Sequence, residues 1–260
     1  MSGMVKRISA EEARRLLEEN PSIFLIDVRQ PEEYEKGHIP GAKLIPLPEL
    51  PDRLSEIKID NEVVTYCRLG RRSLAGASLI ADELNIDVYT IEGGIMAWNG
   101  FISTSRIEDF KLLTKGIRTP EEFISLAYSL EEGSQKFYQK LFDHFKEKGG
   151  IFKTLANAED NHKKRIMDTF SKNIELAEGF RDYMESGISF SEAYNRIINE
   201  GMDIKEIIEF SMQMEINSLD LYMKILRIVE LSTKRVFEEI INEEKMHLKR
   251  LGRFLTETSL

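Results

Sequence analysis

The chain has 260 residues, of which 42% are hydrophobic and 31% are charged, a composition typical of a globular protein with room for two domains. Its net charge of −9 argues against a general nucleic-acid binder, and no apolar run approaches the length that spans a bilayer. The single cysteine cannot form an internal disulfide, and residues 1–10 lack the apolar stretch of a secretory signal, so a cytoplasmic protein is predicted.

The first hundred residues alternate short apolar runs with helical segments. The runs at 23–28, 63–67 and 88–91 predict strands, and the apolar spacing of 73–84 predicts a helix. The nearly continuous apolar character of the first run is typical of a strand that is buried on both faces. Strands that alternate with helices predict a parallel-sheet α/β domain, which we place at residues 1–104.

A cysteine stands at the end of the second predicted strand. A loop that turns from a strand into a helix directs several backbone N–H groups to one spot, which makes an anion cradle. Three arginines in this loop add positive charge, and both effects favour the nucleophilic thiolate of Cys67. We therefore predict that Cys67 is catalytic. The predicted substrate-binding loop consists of Arg68, Leu69, Gly70, Arg71, Arg72 and Ser73.

Residues 5–100 resemble the rhodanese family of sulfurtransferases. The resemblance rests on the ordered motifs IDVRQPEEY at 26–34, GHIPGA at 37–42 and EGGIMAW at 92–98, with the cysteine loop between the last two. It implies that Cys67 takes sulfane sulfur from thiosulfate or a persulfide donor, holds it as a persulfide and passes it to cyanide or a thiol. The loop would bind the anionic end of the donor.

An alternative function for the cysteine loop is phosphatase chemistry. Tyrosine phosphatases use a similar cradle with the pattern Cys-x5-Arg, which requires arginine at position 73. The chain has Ser73 there, so the shorter loop favours sulfur transfer. Asp27, Arg29 and His38 match signature positions of the rhodanese resemblance, where a structural role competes with a catalytic one.

From residue 119 onward the apolar spacing is helical. The sequence Thr119-Pro120 followed by two acidic residues is a strong helix start. Two pairs of long helices joined by a long crossover predict an all-α, ferritin-like four-helix bundle at 119–260, with an ordered linker at 105–118. The predicted helices run from 119 to 145, from 151 onward, from 203 to 230 and from 232 to 255.

A repeated motif in this half predicts a two-metal site. A glutamate seven residues before a tyrosine and a later E-x-x-H both occur twice, with offsets of 84 and 85 residues. Residues three apart on a helix share a face, so each E-x-x-H pair points one way. Four buried carboxylates need cations, and two divalent ions neutralise them. The predicted metal ligands are Glu131, Glu159, His162, Glu215, Glu244 and His247.

Residues 118–255 resemble the ferritin-like di-iron carboxylate proteins, and most closely the rubrerythrins. The resemblance implies two iron ions bridged by Glu159 and Glu244, although the mixed carboxylate and imidazole set also suits manganese or a mixed pair. It further implies reduction of hydrogen peroxide and a role in oxidative stress. Tyr138 and Tyr222 match tyrosines that hydrogen-bond the ligand carboxylates, while core packing is their alternative role.

The resemblance also implies the terminal ligands. Glu131 with His162 would complete one iron site, and Glu215 with His247 would complete the other.

Two departures from the rubrerythrin pattern affect the expected chemistry. Many rubrerythrins carry a further glutamate three residues after the third-helix ligand, where this chain has Ser218. They also carry a rubredoxin domain with paired C-x-x-C motifs, which a chain with one cysteine cannot supply. Electrons are therefore expected from a separate donor protein or from sulfur chemistry at Cys67.

The sequence as a whole predicts a sulfurtransferase combined with a di-iron oxidoreductase. The main alternative keeps sulfur transfer as the sole catalysis and makes the bundle a non-catalytic metal-binding or dimerisation module. A metal-free bundle is a third reading. A homodimer is expected because ferritin-like bundles often associate through helix faces, and no nucleic-acid or membrane partner is expected.

Overall fold

The computed structural model of the chain describes residues 3–170, 180, 182–229 and 231–257. The chain divides into two units, Met1–Thr104 and Ser105–Leu260. Among the helices so described, none combines the length and the apolar character that crossing a lipid bilayer requires.

A parallel five-stranded sheet forms the centre of the first unit, with the strand order β1-β5-β4-β2-β3. Its strands are β1 (Val5–Ile8), β2 (Phe24–Asp27), β3 (Lys43–Leu44), β4 (Val63–Tyr66) and β5 (Val88–Ile91). All residues of β2 and β4 are buried, as expected for strands that are covered on both faces. Asp27 pairs in register with Tyr66, so the carboxyl ends of β2 and β4 coincide and Cys67 emerges at that edge.

Helices connect and cover these strands. They are α1 (Ala10–Glu19), α2 (Pro31–Glu35), α3 (Arg71–Leu84) and α4 (Gly94–Ala97), with a 3₁₀ segment at Leu47–Glu56. Helix α3 joins β4 to β5, and its Ala77 and Ile80 belong to the same apolar core as Ile26 and Val63. The predicted parallel-sheet α/β architecture is confirmed.

Long helices dominate the second unit, and the predicted helical bundle is confirmed. Helix α6 packs along α7, α9 packs along α10, and α7 contacts α10. A 3₁₀ turn at Lys146–Gly149 separates the first pair. The helices of this unit are α5 (Ile107–Thr114), α6 (Pro120–Phe145), α7 (Gly150–Phe170), α8 (Phe190–Glu200), α9 (Ile204–Leu226) and α10 (Leu231–Glu257).

The connections of the bundle contain more helix than the sequence pattern predicts in detail. Helix α5 lies within 105–118, the segment expected to be a linker, and the second unit includes it. Helix α8 lies in the crossover between the two long pairs. Residues 171–179 of that crossover lie outside the described residues.

The interior of the bundle is divided along its length. Leu130 on α6 belongs to one apolar cluster and Phe137 on the same helix belongs to another. Between them in the sequence come Glu131 and Ser134, both of which are buried. A polar layer therefore lies between two apolar ends.

Gly133 lets the crossover approach α6 at the level of this polar layer. A Cβ atom at Gly133 would lie 2.0 Å from the carbonyl oxygen of Tyr183, which is far inside van der Waals contact. The backbone of the crossover therefore packs directly on the helix. This contact explains a glycine in the middle of a long helix, where glycine is otherwise unfavourable.

The Gly133→Ala variant should be less stable than the wild type. Alanine improves helix propensity by about 1 kcal/mol, but the clash with Tyr183 should reverse the sign and lower the free energy of unfolding by about 1–3 kcal/mol. Denaturant unfolding of the full chain measures this. Gly252→Ala in α10 is the matched control, because its Cβ would meet Met212 Cε at 4.0 Å, and it should be neutral or stabilising. Equal effects of the two variants would contradict the packing role of Gly133.

Candidate functional site

Cys67 directly follows β4, and the loop after it curls back over the sulfur. The backbone N–H of Gly70 donates a hydrogen bond to Cys67 Sγ at 3.1 Å. Gly70 adopts φ of 89°, a left-handed conformation that favours glycine, and α3 begins at the next residue. The start of α3 is thereby directed at the thiol.

This environment favours the thiolate. Burial alone raises the pKa of the Cys67 thiol, but hydrogen bonds from the backbone N–H and hydroxyl of Ser73 and from the N–H groups of Leu69 and Gly70 outweigh it. The net effect holds the pKa of Cys67 below its ordinary value. Because the thiolate is the nucleophilic form of cysteine, these donors make Cys67 a candidate nucleophile.

The segment after β5, which begins with the motif EGG at 92–94, hydrogen-bonds to the backbone of the cysteine loop. Ile95 N–H donates to the carbonyl oxygen of Cys67 at 2.8 Å, and Met96 N–H donates to that of Arg68 at 3.2 Å. A Cβ atom at Gly94 would lie 2.2 Å from the Cys67 carbonyl oxygen. Only glycine at position 94 allows α4 to come this close, so this second motif fixes the backbone of the cysteine loop.

The three arginines of the loop have different surroundings, which the sequence does not reveal. Arg72 forms two hydrogen bonds of 2.7 Å with the carboxylate of Glu33. The Arg72 guanidinium lowers the pKa of Glu33 to about 2, so the pair stays ionised and its charges largely cancel. Arg68 and Arg71 are exposed beside the loop and supply positive charge toward solvent. Leu69 is also exposed, at 61%.

Asp27, Arg29 and His38 lie within the scaffold of the first unit. Arg29 Nε donates to Asp27 Oδ1 at 2.9 Å, and Arg29 Nη2 donates to the carbonyl oxygen of Gly37 at 2.8 Å. The buried His38 ring stacks on Tyr34 with the ring centres 3.7 Å apart. These contacts tie motif 26–34 to motif 37–42 and give the three residues structural roles.

The six predicted metal ligands come together between four helices. Each of them is at most 3% exposed. Their donor atoms form two groups, each with all atoms within 4.8 Å of one another, and Glu159 belongs to both groups. Helix α6 supplies Glu131, α7 supplies Glu159 and His162, α9 supplies Glu215, and α10 supplies Glu244 and His247.

One imidazole faces three carboxylates through its Nδ1 atom. His162 Nδ1 lies 2.9 Å from Glu159 Oε2, 3.0 Å from Glu131 Oε2 and 3.6 Å from Glu244 Oε1. Glu131 comes from the neighbouring helix α6, and Glu244 comes from α10 across the bundle. The atoms converge on one point that a cation can occupy.

The second imidazole repeats this arrangement. His247 Nδ1 lies 3.2 Å from Glu215 Oε2, 3.5 Å from Glu244 Oε2 and 3.6 Å from Glu159 Oε1. Its ring is stacked on that of His162 with the ring centres 5.3 Å apart. Glu159 and Glu244 therefore each present one oxygen to each imidazole. Glu215, in contrast, lies beside the imidazole of His247 only.

The two tyrosines of the repeat hold the outer carboxylates. Tyr222 Oη donates to Glu131 Oε1 at 2.6 Å, and Tyr138 Oη donates to Glu215 Oε1. Each bond joins α6 to α9. Burial raises the pKa of both tyrosines well above the ordinary value, so they remain neutral donors. Such bonds fix the orientation of a ligand carboxylate.

The donor set fits cations. Burial raises the pKa of Glu159 to about 7 and also raises that of Glu244. Burial opposes protonation of His247, but Glu159, Glu215 and Glu244 raise its pKa to about 11. The cluster thus retains protons that a metal ion would displace. Glu159 Oε2 faces His162 Nδ1 at 2.9 Å and Glu244 Oε2 faces His247 Nδ1 at 3.5 Å, so a cation at either position would replace a proton between the two groups.

Sequence reasoning missed Glu243, which distinguishes the two imidazoles. His162 Nε2 lies 2.8 Å from Glu243 Oε2, and Arg165 Nη2 lies 2.7 Å from Glu243 Oε1. The contact with His162 lowers the pKa of Glu243. Eighty-five residues earlier the repeat has Ala158, so a comparison of the two halves passes over this glutamate. No carboxylate at position 158 matches it beside His247.

A cavity of about 610 Å³ lies beside Ala158 and His247. Ala158 and Asn161 of α7 line it together with His247 and Arg250 of α10. One imidazole of the cluster therefore forms part of the cavity wall, which Glu243 and Arg165 also line.

Glu185 is another buried acid that the repeat did not indicate. It is 4% exposed, and its Oε2 atom accepts a hydrogen bond from Ser134 Oγ. It lies in the crossover, outside any periodic motif. Ser218 is buried in α9 and donates to the carbonyl oxygen of Met214 at 3.1 Å.

Comparison with known proteins gives matches to two families. A family model of the rhodanese-like domain matches residues 9–100, and the rubrerythrin model matches residues 122–255, slightly more than half of the chain. A sulfurtransferase of Allochromatium vinosum is 37% identical over 95 residues, which cover 36% of this chain and 89% of that protein. The thiosulfate sulfurtransferase GlpE of Pseudoalteromonas translucida is 30% identical over 98 residues, covering 38% of this chain and 92% of that protein.

A solved structure of a rhodanese-like domain protein from Staphylococcus aureus is 36% identical to the matching part of this chain. The match covers 36% of this chain and 91% of that chain, with a TM-score of 0.33.

Loss of the Ser73 hydroxyl should raise the pKa of the Cys67 thiol. The folded protein favours the thiolate, so deprotonation occurs at lower pH than for an ordinary thiol, and removing a donor moves the titration to higher pH. Thiolate absorbance at 240 nm, measured as the difference from Cys67→Ser, reports this single cysteine. Ser73→Ala should shift the midpoint upward, whereas the exposed Ser78→Ala on the same helix should not. Equal midpoints in all three proteins would contradict the role of the hydroxyl.

Proposed function

Because this chain belongs to the rubrerythrin family and contains a rhodanese-like domain, we propose that it transfers sulfane sulfur through a persulfide on Cys67 and reduces hydrogen peroxide at a di-iron centre. The first activity is that of a thiosulfate sulfurtransferase. The second is that of a peroxidase.

In sulfur transfer, the Cys67 thiolate attacks the sulfane sulfur of thiosulfate. A new S–S bond forms on Cys67 while the S–S bond of thiosulfate breaks, and sulfite leaves with the bonding electron pair. Cyanide or a thiolate acceptor then attacks the outer sulfur of the persulfide. Thiocyanate or a new persulfide leaves, and the Cys67 thiolate is restored. No external oxidant or reductant is required.

The hydrogen bond from Gly70 N–H to Cys67 Sγ at 3.1 Å, in the loop that begins α3, is the observation that carries this half of the proposal, and it agrees with the lowered pKa of Cys67. The N–H groups that favour the thiolate would also favour a negatively charged persulfide at the same position. Arg68 and Arg71 lie exposed beside the loop, where they would attract the anionic sulfonate end of thiosulfate. The similarity to sulfurtransferases over residues 9–100 agrees with this chemistry.

For the second activity, the convergence of six buried donors is the supporting observation. Glu159 and Glu244 would bridge two ions because each presents one oxygen to each imidazole. The remaining ligands would be one carboxylate and one imidazole for each ion. When bound, two iron ions supply the two electrons that convert peroxide to water.

The protein's own groups would orient this centre and control access to it. Tyr138 and Tyr222 hold the terminal carboxylates, and Glu243 holds His162 from the outside. Peroxide would enter through the cavity beside His247, which is polar and large enough for it. Because the chain has one cysteine, it has no cysteine-ligated redox centre of its own, and a separate protein would donate the electrons.

Cys67→Ala should abolish thiosulfate:cyanide sulfur transfer, because no other cysteine in the chain can carry the persulfide. Thiocyanate formation measures the rate. Metal content and peroxide consumption should stay at the wild-type level in this variant. Conversely, His247→Ala should lose metal and retain sulfur transfer. A Cys67→Ala protein that turns over thiosulfate at the wild-type rate would refute the persulfide.

Bridging and terminal ligands should differ in metal content. Protein expressed anaerobically should contain two iron ions per chain by elemental analysis. Glu159→Gln should weaken the binding of both ions, since this residue faces both imidazoles, whereas Glu131→Gln should weaken the binding of one. Each loss of affinity should exceed the roughly 10–100-fold that removal of an outer-shell partner causes. If the wild type binds two ions but its reduced form does not turn over peroxide, the bundle is a metal-binding module only. If the wild type contains no metal, the proposed metal centre is wrong.

A further inference from the structure

Glu185 occupies a tight turn of the crossover whose backbone is fixed. Tyr183 and Ser189 form an antiparallel bridge on its two sides. Within the turn, Met184 N–H donates to Ile188 O at 2.9 Å and Gly187 N–H donates to Met184 O at 2.9 Å. The turn therefore presents Glu185 from a defined position.

The turn lies directly on α6 at the level of the metal ligands. Gly133 permits the close approach of the Tyr183 backbone, as described above. Glu185 Oε2 accepts a hydrogen bond from Ser134 Oγ, and Ser134 follows Glu131 by three residues on the same face of α6. Glu185 is thereby held one helical turn from a carboxylate of the cluster.

The surroundings of Glu185 are unfavourable for an isolated acid. Its carboxyl group is 4% exposed, and in the part of the chain that the structure describes its Oε1 atom has no hydrogen-bond partner. Burial, followed by the charges of Glu131, Glu159 and Glu244, raises its pKa well above the ordinary value. The side chain is thus within electrostatic range of three predicted ligands, and a cation among them would offset its burial.

Glu185 is placed asymmetrically with respect to the two imidazoles. Its hydrogen-bond partner Ser134 lies one turn after Glu131 on α6, and Glu131 faces His162. Glu131 also exerts the largest charge effect on Glu185. Tyr222 donates a hydrogen bond to Glu131, and the charge of Glu185 contributes to its raised pKa. These contacts assign Glu185 to the His162 side of the cluster.

We propose that Glu185 is a fifth carboxylate of the metal centre and serves as a ligand of the ion held by Glu131 and His162. The ligand comes from the crossover rather than from the four long helices. It distinguishes the two ions, because the His247 side has no such carboxylate among the residues described. The inference rests on the proposed metal centre and extends its ligand set.

Titration of the metal-free full chain with Co²⁺ under anaerobic conditions tests this, because the visible absorption of Co²⁺ reports its ligand number and geometry. Wild type should bind two ions. Glu185→Gln keeps the shape of the side chain and an acceptor for Ser134, so it should fold. It should lower the affinity for one of the two Co²⁺ ions by about tenfold or more and alter the absorption bands of that ion. The affinity and absorption of the other ion should not change.

Two matched variants separate ligation from a structural tether. Ser134→Ala removes the hydrogen bond but keeps the carboxylate, so it should retain both affinities. Asp182→Asn removes another acid of the same turn, one that accepts a hydrogen bond from Ser191, and should also behave as wild type. If Ser134→Ala weakens the ion as much as Glu185→Gln does, Glu185 is a tether and the inference fails.

The outcomes distinguish this inference from the proposed function. A wild-type chain that binds fewer than two Co²⁺ ions would refute the metal centre itself. Two ions in wild type with unchanged affinities and absorption in Glu185→Gln would refute the ligand role alone. A crystal structure of Co²⁺-loaded wild type gives a readout without any variant: a Glu185 oxygen bonded to the ion beside His162 is expected, and Glu185 bonded to Ser134 alone would overturn the inference.

Discussion

Four carboxylates and two imidazoles lie in the interior of one helical bundle, and the free energy of burying them governs the rest of that unit. Apolar clusters flank the polar layer at both ends, and the six donors are almost inaccessible to solvent, so water compensates little of their charge. Tyr138 and Tyr222 compensate part of the burial with hydrogen bonds to the outer carboxylates. The remaining compensation must come from protons or cations, and the convergence of Nδ1 atoms and carboxylate oxygens is suited to cations.

The repeated motif makes the inner ligands nearly symmetric, but their surroundings are not. Glu243 supports His162 from outside, while Ala158 leaves a cavity beside His247. Glu185 approaches from the crossover on the His162 side. His162 thus has polar partners outside the cluster, whereas His247 borders the cavity.

The cysteine loop stabilises a single negative charge rather than a cluster of buried ligands. A single negative charge on Cys67 is favoured by backbone N–H groups and one hydroxyl rather than by a buried ion pair. Gly94 allows α4 to pack against the carbonyl group of Cys67, which fixes the loop without covering it with a side chain. Arg72 interacts with both Glu33 and Cys67, whereas Arg68 and Arg71 are exposed on the solvent side of the loop.

The sequence by itself determined the fold class, because strand burial and helical spacing follow from local periodicity. It also predicted the strand that precedes Cys67 and, from the repeated motif, the six donors that the fold brings together. It predicted a linker where α5 forms, since few residues there are periodic. Only the tertiary structure decided that Arg72 pairs with Glu33 and that Glu243 and Glu185 face the cluster. These contacts join residues distant in sequence, and their geometry depends on how whole elements pack, which no local pattern records.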